Sequence, residues 1–528
     1  CVCLCVCLGV CLCVCLCVCL VWAAPGCDSE PVAGTDPGDQ LPLAQGGNEV
    51  DAADLVVGDS EKAGDPGFSR ESALTAADDS MRAGQTQRAI SELQRVLLAD
   101  PNDAEVLFRL ANVQASLGEV AIAVELLGAI PEDHPQAGLA ALGQAADWSM
   151  QLERFEEAER LYRKVLARAP EAAVVHRQLA FLYNRQGRRH EAAVHLQELC
   201  RLGNVQQDEL HAMMVLGHAI FDDPNSATPR KKAYFPIGPA AEARMLYTAS
   251  RYQEALAVLD PAVRAGEVPP SILAFYGLLS VESQDEQRFQ WWLARADASV
   301  QEYAEYWAAV GTHLLSQRRF SEAIRAFAES LNRDSTDIAS MRRINQSLTA
   351  LGQQEAADKW IDRYVVQRDV TLASNAIGES GPPSVDSYRT VAEGLDKLNR
   401  PLEAMTWRLF EAFQRKASRE EVEALNQQRM KLAASEQAFP GEAERMCGIS
   451  REQYPLPKME IPELSSVTLP AAGEIPTESF VAPVFKNVAT EVGLDHNYQI
   501  ASEAQLYRFA LYQSLGGGAA ALDYDLDG

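Results

Sequence analysis

One spacing constrains this chain more than any other feature. Small and apolar residues return every 34 residues or so through four consecutive units. The first unit carries Ala77, Gly84, Ala89, Leu93 and Val96 ahead of Pro101, and the second carries Ala111, Gly118, Ala123, Leu127 and Ile130 ahead of Pro135. The third has Ala146, Phe155, Ala158, Tyr162 and Val165 ahead of Pro170, and the fourth has Ala180, Tyr183, Gly187, Ala192, Leu196 and Leu199. A fixed period of this length marks stacked supersecondary units that bury their apolar faces on one another. Within a unit the apolar residues keep helical spacing. Small residues at two key positions let paired helices approach closely, and larger ones fill the groove. Glycine or a polar residue makes the turn, and proline stops the second helix.

At its period and most of these positions the pattern resembles the tetratricopeptide repeat family. The resemblance implies a mainly α chain, a tetratricopeptide-type α-solenoid wound as a superhelix. Its concave face is expected to receive a protein or peptide ligand. Four units fill residues 70–206. At 207–239 the register fails, and four prolines with the triplet Arg230-Lys231-Lys232 read as a loop insertion. Further, degenerate repeats follow over 240–438, through Ala243 and Ala255, Gly277 and Phe289, Gly311 and Ala323, Asn345 and Ala357, then Ala392 and Ala404. The total is about nine helical pairs. Trp291, Trp292, Tyr303 and Tyr306 suit either a groove or a core, and both readings stay open.

Length and composition agree. At 528 residues the chain exceeds a single core, and 47% hydrophobic with only 7% aromatic residues suits packed helices. A net charge of −27 repels phosphate backbones and anionic headgroups, so no nucleic-acid partner is expected. Ten of the 12 cysteines lie within the first 27 residues, leaving only Cys200 and Cys447 in the body. The body is therefore no disulfide scaffold.

Residues 1–22 alternate Cys with Val and Leu and carry no charge. They fit a membrane-crossing helix of about 20 residues, the apolar core of a secretory signal, or a translated nucleotide repeat without selected structure. Metal binding by the CxC spacing would lack a polar surround for the thiols. Ala24-Pro25-Gly26-Cys27 resembles a bacterial lipoprotein processing box, with Gly26 and Cys27 matching and Ala24 in place of the usual leucine. The resemblance implies cleavage before Cys27 and acylation of its thiol. Residues 1–27 are thus a signal-like, lipoprotein-like or membrane-anchoring segment, and the protein is expected in the cell envelope or periplasm. Residues 28–69 are acidic and poor in apolar side chains, as a disordered tether would be.

Proline steps over 439–483 read as an extended linker. In 484–528 two phrases stand out, Phe485 to Leu494 and Gly516 to Gly528. The second holds Asp523, Asp525 and Asp527 before a closing glycine, an oxygen-rich loop suited to calcium. An EF-hand also opens with DxDxDG, but it needs an incoming helix where LGGGAAALDYD reads as a glycine turn entering a strand. Together the phrases resemble the start of an FG-GAP/VCBS-type repeat, as found before ASPIC/UnbV domains. That resemblance implies a β-propeller blade with calcium held by Asp523, Asp525 and Asp527. A chain that begins at Cys1 and stops at Gly528 inside this motif reads as part of a longer protein.

No GxSxG, Walker loop or CxxC pair occurs outside the amino-terminal run, and His190 and His195 do not share a helical face as HExxH requires. A non-catalytic, exported scaffold is the expectation. The alternatives are a substrate-presenting region of an enzyme whose catalytic domain lies beyond residue 528, and a cytosolic scaffold whose first 27 residues are spurious.

Overall fold

The computed structural model describes residues 69–220, 235–266, 268–378, 384–463 and 467–469. The lipid-attachment expectation at Cys27, the tether up to residue 68, the triplet Arg230-Lys231-Lys232 and the calcium motif at Asp523, Asp525 and Asp527 lie outside these residues.

Among the described residues the chain is helical throughout and holds no strand. The first four pairs are α1 (Arg70–Arg82) with α2 (Thr86–Ala99), α3 (Ala104–Ser116) with α4 (Val120–Gly128), α5 (Gly138–Gln151) with α6 (Phe155–Arg168), and α7 (Ala173–Arg185) with α8 (Arg189–Leu202). The short α9 (Gln207–Ala212) interrupts the series. Five more pairs follow: α10 (Gly238–Thr248) with α11 (Tyr252–Ala265), α12 (Pro270–Glu282) with α13 (Glu286–Leu293), α14 (Ala304–Ser316) with α15 (Phe320–Arg333), α16 (Ile338–Ala350) with α17 (Gln354–Gly378), and α18 (Val385–Lys397) with α19 (Pro401–Gln414). Then come α20 (Arg419–Ala433) and the single turn α21 (Glu442–Arg445).

The repeat is built around one turn residue. Gly84, Gly118, Gly187 and Gly352 take φ between 70° and 90°, the left-handed region that ends one helix and starts the next. Glu153, Ser250, Gln284, Arg318 and Asn399 hold the same place at φ of 57° to 59°, where an L side chain is strained. Gln284 and Arg318 are exposed and make the turn without a side-chain partner that would compensate. Gln284→Gly or Arg318→Gly should therefore stabilise by about 0.5 kcal/mol, the left-handed penalty of roughly 1–2 kcal/mol less the entropy cost of glycine. A raised urea midpoint at unchanged slope would show it.

Five residues after each turn comes the contact that lets the helices close. Ala89, Ala123, Ala158, Ala192, Ala255, Ala323, Ala357 and Ala404 all have 0% exposure. The sixth pair departs from this arrangement at one position. Phe289 replaces the alanine, Trp292 lies one turn on, and Gly277 on α12 faces them. A Cβ on Gly277 would stand 2.1 Å from Trp292 Cε2, so only glycine fits. Trp292 and Phe289 are fully buried, and the indole N–H donates to the Leu273 carbonyl at 2.8 Å.

Past α20 the chain reverses along the second helices of earlier pairs. Arg363 on α17 donates to the Glu444 carbonyl, Arg325 on α15 to that of Tyr454, and Gln287 on α13 to that of Thr468. In its described residues, up to 463 and again at 467–469, the stretch read from sequence as an extended proline linker is docked on the repeats.

Candidate binding cleft

The register break at 207–239 was legible only as a loop, yet its stretch from 210 to 216 is largely buried structure. After α9 the chain runs without regular hydrogen bonding through residues 213–220, and side chains from distant repeats take up its main chain. Arg189 on α8 donates to the carbonyls of Ala212 and, at 2.9 Å, of His218. Arg400, just before α19, reaches the Met213 carbonyl at 2.9 Å, and Gln367 on α17 reaches that of Met214 at 2.7 Å. Arg244 on α10 donates to the Gly217 carbonyl at 3.2 Å. The Thr336 hydroxyl accepts the Leu216 N–H at 2.9 Å, and the Thr248 hydroxyl accepts the Ala219 N–H at 2.8 Å. Buried peptide groups left without partners would be costly, and here side chains supply what a helix would have supplied. Met213 and Met214, each 2% exposed, fill the core beside them.

Next to this internal plug sits a buried charge cluster. His190 on α8 places Nδ1 3.2 Å from Glu305 of α14 and Nε2 3.2 Å from Asp334 at the end of α15. Arg244 pairs with Glu305 at 3.0 Å, and its guanidinium lies 3.8 Å from the centre of the Phe275 ring. Asp334 also accepts from the backbone and hydroxyl of Thr336 at 2.8 and 2.6 Å. Burial alone would strip the proton from His190, but the two carboxylates outweigh it and raise its pKa to about 10. Burial opposes ionisation of Glu305 as well, and His190 with Arg244 overcomes it, lowering that carboxyl to about 2. Burial and then the nearby Arg244 push Arg189 down to about 9.

Between α7, α9, α17 and α19 the plug leaves a cleft of about 470 Å³. Its apolar walls are Val174, Ala180, Phe181, Leu196, Ile220, Ile377 and Trp407. Val174 is 65% exposed at the mouth, while Trp407 is fully buried at the base. Polar groups at the edge are already fixed. Arg177 pairs with Glu209 at 2.7 Å, and His211 Nδ1 lies 2.7 Å from the Ser374 hydroxyl. A space of this size with apolar walls and a polar rim takes apolar side chains of a ligand. Among the described residues no group of three or more His, Cys, Asp or Glu is placed to hold a metal ion.

The aromatic residues singled out in the sequence are not in this cleft. Trp291, Trp292 and Tyr306 are buried in the core around the sixth and seventh pairs, and Tyr303 is half-buried against it. Arg295 stacks at 3.8 Å from the centre of the Trp291 ring. Cys200 and Cys447 are both free thiols, and burial pushes the pKa of each upward. As a cleft these residues gave no sequence signal, because α7 to α9 and residue 220 meet α17 and α19 from far along the chain, and Ala180 and Leu196 were readable only as repeat positions.

Helix pairs of one period, an alanine seam and a left-handed turn residue define a mainly α-helical solenoid of tetratricopeptide-like repeats. A tetratricopeptide repeat family model matches residues 80–146. A tetratricopeptide repeat protein from Parabacteroides merdae is 13% identical with a TM-score of 0.25, covering 53% of this chain and 98% of its own. The Cut9-Hcn1 hetero-tetramer of the APC/C is 15% identical with a TM-score of 0.21, covering 70% and 87%. The P58(IPK) TPR domain is 15% identical with a TM-score of 0.18, covering 69% and 99%. No curated protein matches the chain.

Proposed function

We propose that this protein is a non-catalytic adaptor, exported and lipid-tethered through Cys27, that holds a partner protein by an apolar-anchored peptide or helix in the cleft beside α7. The observation that carries the binding half is the apolar cleft of about 470 Å³, open at Val174 and walled by ordered repeats. Repeat scaffolds of this kind generally serve protein interaction, and a fixed wall spares the ordering cost that weakens flexible sites. In this reading residues 28–69 give the array reach from the membrane, and Asp523, Asp525 and Asp527 bind calcium in a propeller-type repeat.

A photo-crosslinking residue in place of Val174 should capture one partner protein, and Phe181→Glu should reduce that capture at least tenfold by placing a charge on an apolar wall. Equal capture by the two proteins would sink the cleft assignment. Calcium should raise the melting temperature of the region that begins at residue 484, and Asp525→Ala should abolish the rise. No change on adding calcium to the protein with its full carboxyl-terminal region would remove the metal from the proposal.

A further inference from the structure

One face of α15 carries charges of alternating sign: Arg319 at its start, then Glu322, Arg325 and Glu329. Neighbouring members pair with each other, Arg319 with Glu322 at 2.6 Å and Arg325 with Glu329 at 3.0 Å. These pairs hold the side chains in place, and their remaining donors and acceptors point at a peptide. Arg319 donates to the Lys458 carbonyl at 2.9 Å, and Glu322 accepts the Lys458 N–H at 3.1 Å, so both main-chain groups of one residue are read. Arg325 donates to the carbonyls of Arg451 and Tyr454 at 3.0 and 3.2 Å.

After a single helical turn at Arg451–Gln453 the bound segment is extended and presents alternate sides. Tyr454 is buried with its hydroxyl donating to Gln353, and Met459, Val467 and Leu469 pack against the core under α13 and α15. Leu456 and Ile461 face outward at 56% and 67% exposure. Pro455, Pro457 and Pro462 favour this conformation before binding, which lowers the ordering cost as in other proline-rich ligands. Arg451 of the segment makes an ion pair with the stripe, at 2.6 Å from Glu329.

We infer that the α13–α15 face is a receptor for an extended, proline-interrupted peptide, and that the described residues 451–463 and 467–469 of this chain are its resident ligand. Recognition runs through main-chain groups at Arg451, Tyr454 and Lys458 together with inward apolar residues. The surface is distinct from the cleft beside α7, and the segment is a reversible strap on a folded support.

The test uses the full chain. In hydrogen exchange, the amides around Lys458 should exchange at least tenfold faster than those in the middle of α15. Arg319→Ala with Arg325→Ala should accelerate the strap amides alone. A fluorescent synthetic peptide of residues 451–469 should bind a strap-disabled chain, Tyr454→Ser with Met459→Ser, at least tenfold more tightly than the wild type. Adding Arg319→Ala and Arg325→Ala to that variant should remove the binding. Strap and α15 amides exchanging in a single step, or loss of α15 protection in the strap-disabled chain, would show the strap to be integral core and overturn the inference. A strap-disabled chain of wild-type helicity that fails to bind the peptide would overturn it equally.

Discussion

Glu305→Ala should cost about 3–5 kcal/mol of stability, the range for removing one partner of a buried ion pair. The loss falls on several elements at once. His190 would keep only Asp334, and Arg244 would lose its carboxylate while fixed between Phe275 and the Gly217 carbonyl. Urea unfolding should show the drop, and protection should be lost jointly in α8, α10 and α14. A loss confined to α14 would mean that the cluster does not couple the repeats.

The same cluster gives a pH dependence with a definite sign. A histidine raised to about 10 contributes stability that is complete below its unfolded value of about 6.5 and disappears as pH climbs through 10. The carboxylates act in the opposite direction. Glu305, lowered to about 2, and Asp334, also lowered, contribute fully above the unfolded carboxylate range and lose that contribution as acid protonates them. Buried thiols and the lowered His195 and His218 add slopes of their own near the ends of the interval from 6.5 to 9, so the contribution of His190 is read as the difference between the wild type and His190→Gln. Across the interval that difference should shrink by on the order of 3 kcal/mol as pH rises. Equal slopes in the two proteins would place the titration elsewhere.

Gly277→Ala is expected to cost about 3 kcal/mol, at the upper end of overpacking effects. The added carbon would lie 2.1 Å from an indole that has 0% exposure and a bonded N–H, so neither ring nor helix can yield easily. Trp292→Leu in the same background should recover part of the loss, and the two changes should be strongly non-additive in a double-mutant cycle. Additive losses would mean that the two residues do not meet.

The repeat was readable because its determinants are local. An alanine that must admit a neighbouring helix and a residue that must turn left-handed recur at fixed distances, so Ala89 and Gly84 announce themselves again as Ala123 and Gly118. The sixth pair looked degenerate because Phe289 stands where the other pairs have alanine, while Gly277 keeps the small first-helix position that Ala77 and Ala111 hold; the room it makes for Trp292 is visible only when both helices are seen together. The cleft and charge cluster were not legible at all. His190, Arg244, Glu305 and Asp334 belong to four separate elements, and no spacing along the chain relates them. The plug misled in a different way. An absent period does mark an irregular backbone, but it cannot tell a solvated loop from one whose peptide groups are met by Arg189, Gln367 and Arg400.

The plug also bears on how the array answers to force. In a simple solenoid each repeat touches only its neighbours, so small rotations accumulate along the axis and the whole behaves as a spring. Residues 212–219 are gripped at once by α8, α10, α17 and the approach to α19, which ties the fourth and fifth pairs to the eighth and ninth. Pulling the ends should therefore stretch the first three pairs softly and leave the remainder stiff until the tie ruptures as one event. The protein would have a compliant arm joined to a rigid block, with the cleft set in the block.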